Sequence, residues 1–132
     1  HARSADGRPW SVTADPCLVV DQQWERSRLF YPTVLKKNGL YFMWYGSYCQ
    51  MEPMMTALGV AVSGDGTSWE KSPHNPIFGP DDSSRAWESH YTTSQTVIRT
   101  PDGRWRIWYG ARPQPPFVHK YFTIGTASWD GP

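Results

Sequence analysis

The chain has 132 residues and a formal net charge of +1, with acidic and basic residues scattered apart from the pair Lys36-Lys37. Nucleic-acid binding would need a basic stripe, and none is present. No apolar run approaches the ~20 residues of a membrane-spanning helix. Two cysteines, Cys17 and Cys49, fall at positions that do not match one another and read as packed free thiols. Four histidines without ligand spacing leave no expected metal site or cofactor.

In chain order, the segment 10–20 opens with Trp10 and holds Asp15-Pro16. It reads as an outer strand without a sheet of its own. Trp24-Glu25 follows, then an inner strand near 32–36 with the core Thr33-Val34-Leu35. Asn38-Gly39 supplies the positive φ of a tight hairpin and leads to a second strand, 40–46. After a variable loop carrying Met51, Met54 and Met55 comes a third strand, 57–63, and then an outer strand, 69–78. The order then repeats. Trp87-Glu88 precedes strands at 95–99, 104–110 and 122–128, with Asp102-Gly103 at the hairpin. Aromatic and β-branched residues fill the strands, and Gly, Pro, Asn and Asp fill the gaps.

The punctuation repeats as well. Ser-x-Asp-Gly occurs at Ser4–Gly7, Ser63–Gly66 and Ser128–Gly131, and the first two continue to Trp10 and Trp69. A four-stranded unit recurring about every 60 residues is the sequence signature of a β-propeller blade. The expected fold is therefore all-β, with two four-stranded blades per chain. Repeat one covers about 10–69 and repeat two about 69–132. Two blades cannot close a ring, since propellers use roughly 4 to 8. Either the chain is part of a longer protein, or copies assemble. In the second case residues 10–20 of one copy complete the last blade of the next, and a trimer is preferred to a dimer.

Two segments carry a resemblance. Leu40-Tyr41-Phe42-Met43-Trp44-Tyr45-Gly46, and Leu58-Gly59-Val60-Ala61-Val62-Ser63-Gly64-Asp65-Gly66 with Trp69, resemble the blade strands of the five-bladed β-propeller glycoside hydrolases. These are the arabinanase, β-xylosidase and invertase-like enzymes. Gly103–Gly110 and Ile124–Gly131 repeat the match. The resemblance implies an oligosaccharide ligand, an extracellular or periplasmic setting and carboxylates at a central cavity. One of these is protonated for the leaving group and one ionised for the anomeric centre. Asp15-Pro16 looks like part of that family's first-blade motif but sits in the outer-strand register.

On this basis the candidate catalytic residues are Glu25 and Glu88, at equivalent positions on the loops entering the inner strands. The same equivalence supports a second reading, in which Trp-Glu is a structural element whose carboxylate bonds to a backbone amide or an arginine. Substrate-binding candidates are the residues at which the two copies diverge: Arg26, Arg28, Tyr31, His90, Tyr91, Gln95 and Arg112. Of these, His90 could exchange a proton or bond a sugar hydroxyl. The alternative function is a sugar-binding propeller without catalysis, or a piece with no activity of its own.

Overall fold

The computed structural model describes residues 1–48, 56–80, 85–114 and 122–130, with Tyr48 by its backbone alone. Cys49, Met51, Met54, Met55 and residues 131–132 lie outside the described residues.

The fold is nearly all β. A short hairpin pairs β1 (Ala2–Arg3) with β2 (Ser11–Val12). The main sheet contains β3 (Leu29–Lys37), β4 (Leu40–Tyr48), β5 (Thr56–Ser63) and β6 (Glu70–Lys71), then β7 (Tyr91–Arg99), β8 (Trp105–Arg112) and β9 (Thr123–Trp129). Within each half the strands pair antiparallel in chain order, and the sheet is not closed. β6 extends the first half by pairing with β5, and an isolated bridge joins Leu58 to Phe78 beyond it. The halves join edge to edge through one parallel step, Thr56 opposite Tyr91.

Local chemistry sets these boundaries. Asn38 and Gly39 both take positive φ, as the two-residue hairpin between β3 and β4 demands. The matching turn between β7 and β8 is one residue longer. There only Gly103 is left-handed, and Thr100 closes the turn through its bonds with Gly103 and Arg104. Asp65 caps the turn after β5, accepting from the amides of Thr67 and Ser68, both at 2.7 Å. Those amides, with the Ser63 hydroxyl, hold its carboxyl well below the usual range. Asp6 makes the corresponding bond to the Arg8 amide.

The inner strands begin earlier than the sequence suggests, at Leu29 and Tyr91. Each carries a bulge, between Phe30 and Thr33 in β3 and between Thr93 and Thr96 in β7. The bulged residues Tyr31 and Ser94 both take φ of 53°. A bulge leaves the extra residue unpaired and lets the ladder resume upstream. Within residues 10–20 only Ser11–Val12 is strand, and in this chain it pairs with Ala2–Arg3.

The core lies between the halves. Phe42, Trp44, Leu58 and Val60 of the first pack on Val97, Trp105, Ile107 and Tyr109 of the second. The rings of Trp44 and Trp105 are 4.8 Å apart at 59°, within the range favoured by aromatic pairs. Polar bonds pin the same seam. The Thr92 hydroxyl donates to the Thr56 carbonyl, and the Thr92 amide donates to the Thr56 hydroxyl, both at 2.9 Å.

Candidate functional site

The Trp-Glu dipeptides lie on two 3₁₀ turns, Gln23–Glu25 and Ala86–Glu88. Each turn is fastened to its half by the same three-part clamp. The glutamate accepts from a tyrosine of the second strand, Tyr45 for Glu25 at 2.8 Å and Tyr109 for Glu88. That tyrosine stands opposite a glycine, Gly59 or Gly125. The tryptophan lies over the same glycine. A Cβ on Gly59 would meet Trp24 at 2.6 Å, and one on Gly125 would meet Trp87 at 2.5 Å.

Both carboxylates are fully buried, with 0 % of their side-chain surface exposed. Glu25 also accepts from the amides of Asp21 and Gln22, at 2.9 and 3.0 Å. Lys71 of β6 lies 2.7 Å away and 6 % exposed, bonded in addition to Asp21 and to the Val19 carbonyl. Burial by itself would raise the Glu25 pKa. The bonds from Lys71, the two amides and Tyr45 outweigh it, and the carboxyl is held below its usual range. Tyr45 is pushed well above the ordinary phenol value, by burial first and then by its carboxylate acceptor. Tyr109 is shifted in the same direction for the same reasons. At Glu88 the cation is Arg85, 2.5 Å away on the same turn and 54 % exposed.

Neither Lys71 nor Asn75 was singled out in the sequence. Asn75 ties Gln22, Tyr45 and Val60 together through its side chain. The signal available for it was its repeat position: Asn75-Pro76 stands where Asp15-Pro16 stands in the preceding copy.

The other candidates gather at one end of the sheet. Strand pairing sets Leu29, Ser47, Tyr48, Thr56, Tyr91, Arg112 and Thr123 along that end. His90, Tyr91 and Arg112 form one cluster there. The Arg112 guanidinium is buried over two rings, 4.8 Å from the centroid of Tyr91 and 3.9 Å from that of Phe122. The Arg112 carbonyl accepts from the His90 amide at 3.3 Å. Arg26, Arg28 and Tyr31 are exposed on the first half. Gln95 instead ties the halves together. Its side-chain amide donates to the carbonyls of Tyr31 and Trp44, at 2.5 and 3.0 Å, and the Thr33 hydroxyl donates to the Gln95 backbone carbonyl. The side chain of Tyr48 and residues 81–84 and 115–121 lie outside the described residues.

A cavity of about 610 Å³ lies elsewhere, lined by Phe42, Val60, Ile77 and Trp129 among others. Its lining comes from the first half apart from Trp129, and it includes Lys71, the cation partner of Glu25.

Solved structures share this fold, among them three bacterial proteins. A glycosyl hydrolase from Bacteroides ovatus superposes with a TM-score of 0.64 at 22 % identity, over 76 % of this chain and 28 % of its own. A candidate glycoside hydrolase from Parabacteroides distasonis gives 0.65 at 20 %, over 77 % and 29 %. A candidate glycosidase from Bacteroides thetaiotaomicron gives 0.60 at 19 %, over 79 % and 30 %. The chain thus spans less than a third of the length of the structures it matches. A scan of protein-family models and a search of curated proteins return no match.

Proposed function

We propose that this chain is a two-blade section of a carbohydrate-active β-propeller, and that it contributes part of an oligosaccharide-binding surface at the strand-entry end. The observation that carries this reading is the repeated bulge. It leaves Tyr31 exposed, a few residues along the chain from the exposed Arg26 and Arg28, while His90 and Tyr91 open the matching strand of the other half. An exposed phenol ring offers an apolar face to a sugar ring and a polar tip to its hydroxyls. The fold shared with a glycosyl hydrolase from Bacteroides ovatus supports the ligand class.

In this reading Glu25 and Glu88 fasten the entry loops and do not meet the sugar. A glycosidase acid and base must both reach the scissile bond. Here both carboxylates are closed to solvent and committed to tyrosine and cation partners. Hydrolysis, where the whole protein performs it, would draw on carboxylates other than these two.

Titration calorimetry with xylo-, arabino-, manno- and fructo-oligosaccharides tests the reading. Tyr31→Ala should leave the thermal midpoint unchanged and weaken binding roughly three- to ten-fold, the equivalent of ~0.7–1.4 kcal/mol. Binding to none of the panel, or binding indifferent to Tyr31, would sink the proposal. Turnover abolished by Glu25→Gln at unchanged stability would return the glutamates to a catalytic role.

A further inference from the structure

The bulge in β3 holds Tyr31 in a conformation it does not favour. Its φ of 53° is left-handed, which is unusual for a bulky side chain. Pro32 follows it, and a proline biases the residue before it toward extended φ. Ser94, the matching residue of β7, takes the same φ, but it is small and no proline follows it. Tyr31 therefore needs a hold from outside its own strand that Ser94 does not.

Gln95 of the other half supplies that hold. It is only 4 % exposed. Its side-chain amide donates to the Tyr31 carbonyl at 2.5 Å and to the Trp44 carbonyl of β4 at 3.0 Å. Pro32, within the bulge, has no amide proton to offer β4. Just beyond the bulge, the Thr33 hydroxyl donates to the Gln95 backbone carbonyl at 2.9 Å. The bulge is thus tied to β7 on both sides. The Oε1 of Gln95 is buried with no hydrogen-bond partner among the described residues. The two donated bonds therefore set the orientation of its side chain. The strap runs one way, because the first half has Pro32 where the second has Gln95. The Tyr31 ring is 56 % exposed and meets Phe30 edge-on, with ring centroids 5.1 Å apart at 77°. Phe30 in turn lies over Gly46, where a Cβ would meet its ring at 2.8 Å.

We infer that Gln95 is a positioning residue for Tyr31, so that a buried side chain of the second half fixes how the first half presents its phenol ring to a ligand. The ligand part of this inference rests on the reading of Tyr31 as a sugar contact. Without the strap, Tyr31 spends part of its time at extended φ. The apparent affinity then falls with the fraction of molecules that keep the binding pose. That fall is capped at the roughly three- to ten-fold expected of Tyr31→Ala, since no more than the contribution of the ring is lost.

Gln95→Met keeps the length of the side chain and removes both donors. Nuclear magnetic resonance reads φ directly, because the NOE between a residue's own amide and α protons is strong only when φ is left-handed. That NOE should weaken at Tyr31 in Gln95→Met and persist at Asn38, whose φ of 52° belongs to the distant hairpin. In titration calorimetry Gln95→Met should weaken oligosaccharide binding by no more than Tyr31→Ala does. Combined with Tyr31→Ala, it should weaken binding no further, as two residues acting through one contact require. A purely structural role would lower the thermal midpoint and leave the Tyr31 NOE in place. Thr33→Val, which cuts the bond to the Gln95 backbone carbonyl, serves with the same readings if Gln95→Met fails to fold. An unchanged NOE at Tyr31, or a double variant that binds more weakly than Tyr31→Ala, would overturn the inference. If no oligosaccharide binds, the sugar reading falls by itself, and the NOE still decides whether Gln95 holds Tyr31.

Discussion

The two clamps are built alike and charged differently, and substituting each glutamate separates the two properties. Glu25→Gln keeps the shape of the side chain and removes its charge. Its single carbonyl oxygen cannot accept all of the bonds now arriving from Tyr45, Lys71 and the amides of Asp21 and Gln22. Its amide group must then face a donor. Lys71 remains nearly buried but retains Asp21 and the Val19 carbonyl. Breaking a buried pair costs about 3–5 kcal/mol, and these surviving partners place the loss near the lower figure, about 3 kcal/mol. Glu88→Gln leaves behind a half-exposed Arg85, which can turn to water. Weakening of the charged bond from Tyr109 sets a smaller expected loss, about 1–2 kcal/mol.

Urea unfolding followed by tryptophan fluorescence reads the difference. With an m-value of ~1.5 kcal/mol/M, Glu25→Gln should lower the midpoint by about 2 M and Glu88→Gln by about 1 M. Adding Lys71→Met to Glu25→Gln should recover part of the loss, since removing both charges is milder than stranding one. The pH dependence follows from the lowered Glu25 pKa. Its stabilisation is fully present above the ordinary carboxylate value of 4.5 and is lost as pH falls through the lower native value. Glu25→Gln should therefore flatten the acid limb of the stability profile. The argument fails if Glu88→Gln costs as much as Glu25→Gln, or if Lys71→Met brings no recovery.

Two further outcomes rest on the same clamps. Gly59→Ala and Gly125→Ala drive a methyl group into Trp24 and Trp87, and calorimetric melting should show each destabilised by about 1–3 kcal/mol. Gly64→Ala, where a Cβ meets nothing within 4 Å, is the control. Tyr45 and Tyr109 hold their phenol protons above the ordinary value of 10.0. The folded state therefore binds these protons more tightly than the unfolded state, and stability is complete below pH 10 and declines above it. Tyrosinate absorbance should arise from these two residues only as the chain unfolds. A Tyr45→Phe, Tyr109→Phe double variant that loses reversible, native-state absorbance would contradict this.

What could be read from the sequence was local. Turn residues and alternating apolar positions placed the strands, and the recurrence of Trp-Glu, Trp-Tyr-Gly and Ser-x-Asp-Gly placed the two halves. The bulges were not legible, because Tyr31 and Ser94 take a left-handed φ with no glycine to announce it. The expected inner strand near 32–36 therefore falls short of the observed start at Leu29. The glutamates were visible as a pair, but the choice between catalysis and fastening depends on Tyr45 and Tyr109, about 20 residues downstream. Nothing in the sequence marks Lys71, whose role depends on the pairing of β6 with β5 and on its bond to Glu25.

The repeat also separates two kinds of constraint within one chain. The clamp residues are the same in both halves: Trp24 and Trp87, Glu25 and Glu88, Tyr45 and Tyr109, Gly59 and Gly125. The glutamates, tyrosines and glycines among them are buried. An unpaired carboxylate there would be costly, and a larger residue than glycine would collide with two rings. At the strand-entry end, a few residues along the same strands, the halves part: Arg28 against Tyr91, Tyr31 against Ser94, and Tyr48 against Arg112. Packing does not dictate Arg28, Tyr31 or Ser94, which are exposed. Tyr91 and Arg112 are buried against each other and against Phe122. A surface that distinguishes ligands has to be assembled from positions of this second kind. A change in the clamp should therefore register first in stability, and a change at the entry end first in binding.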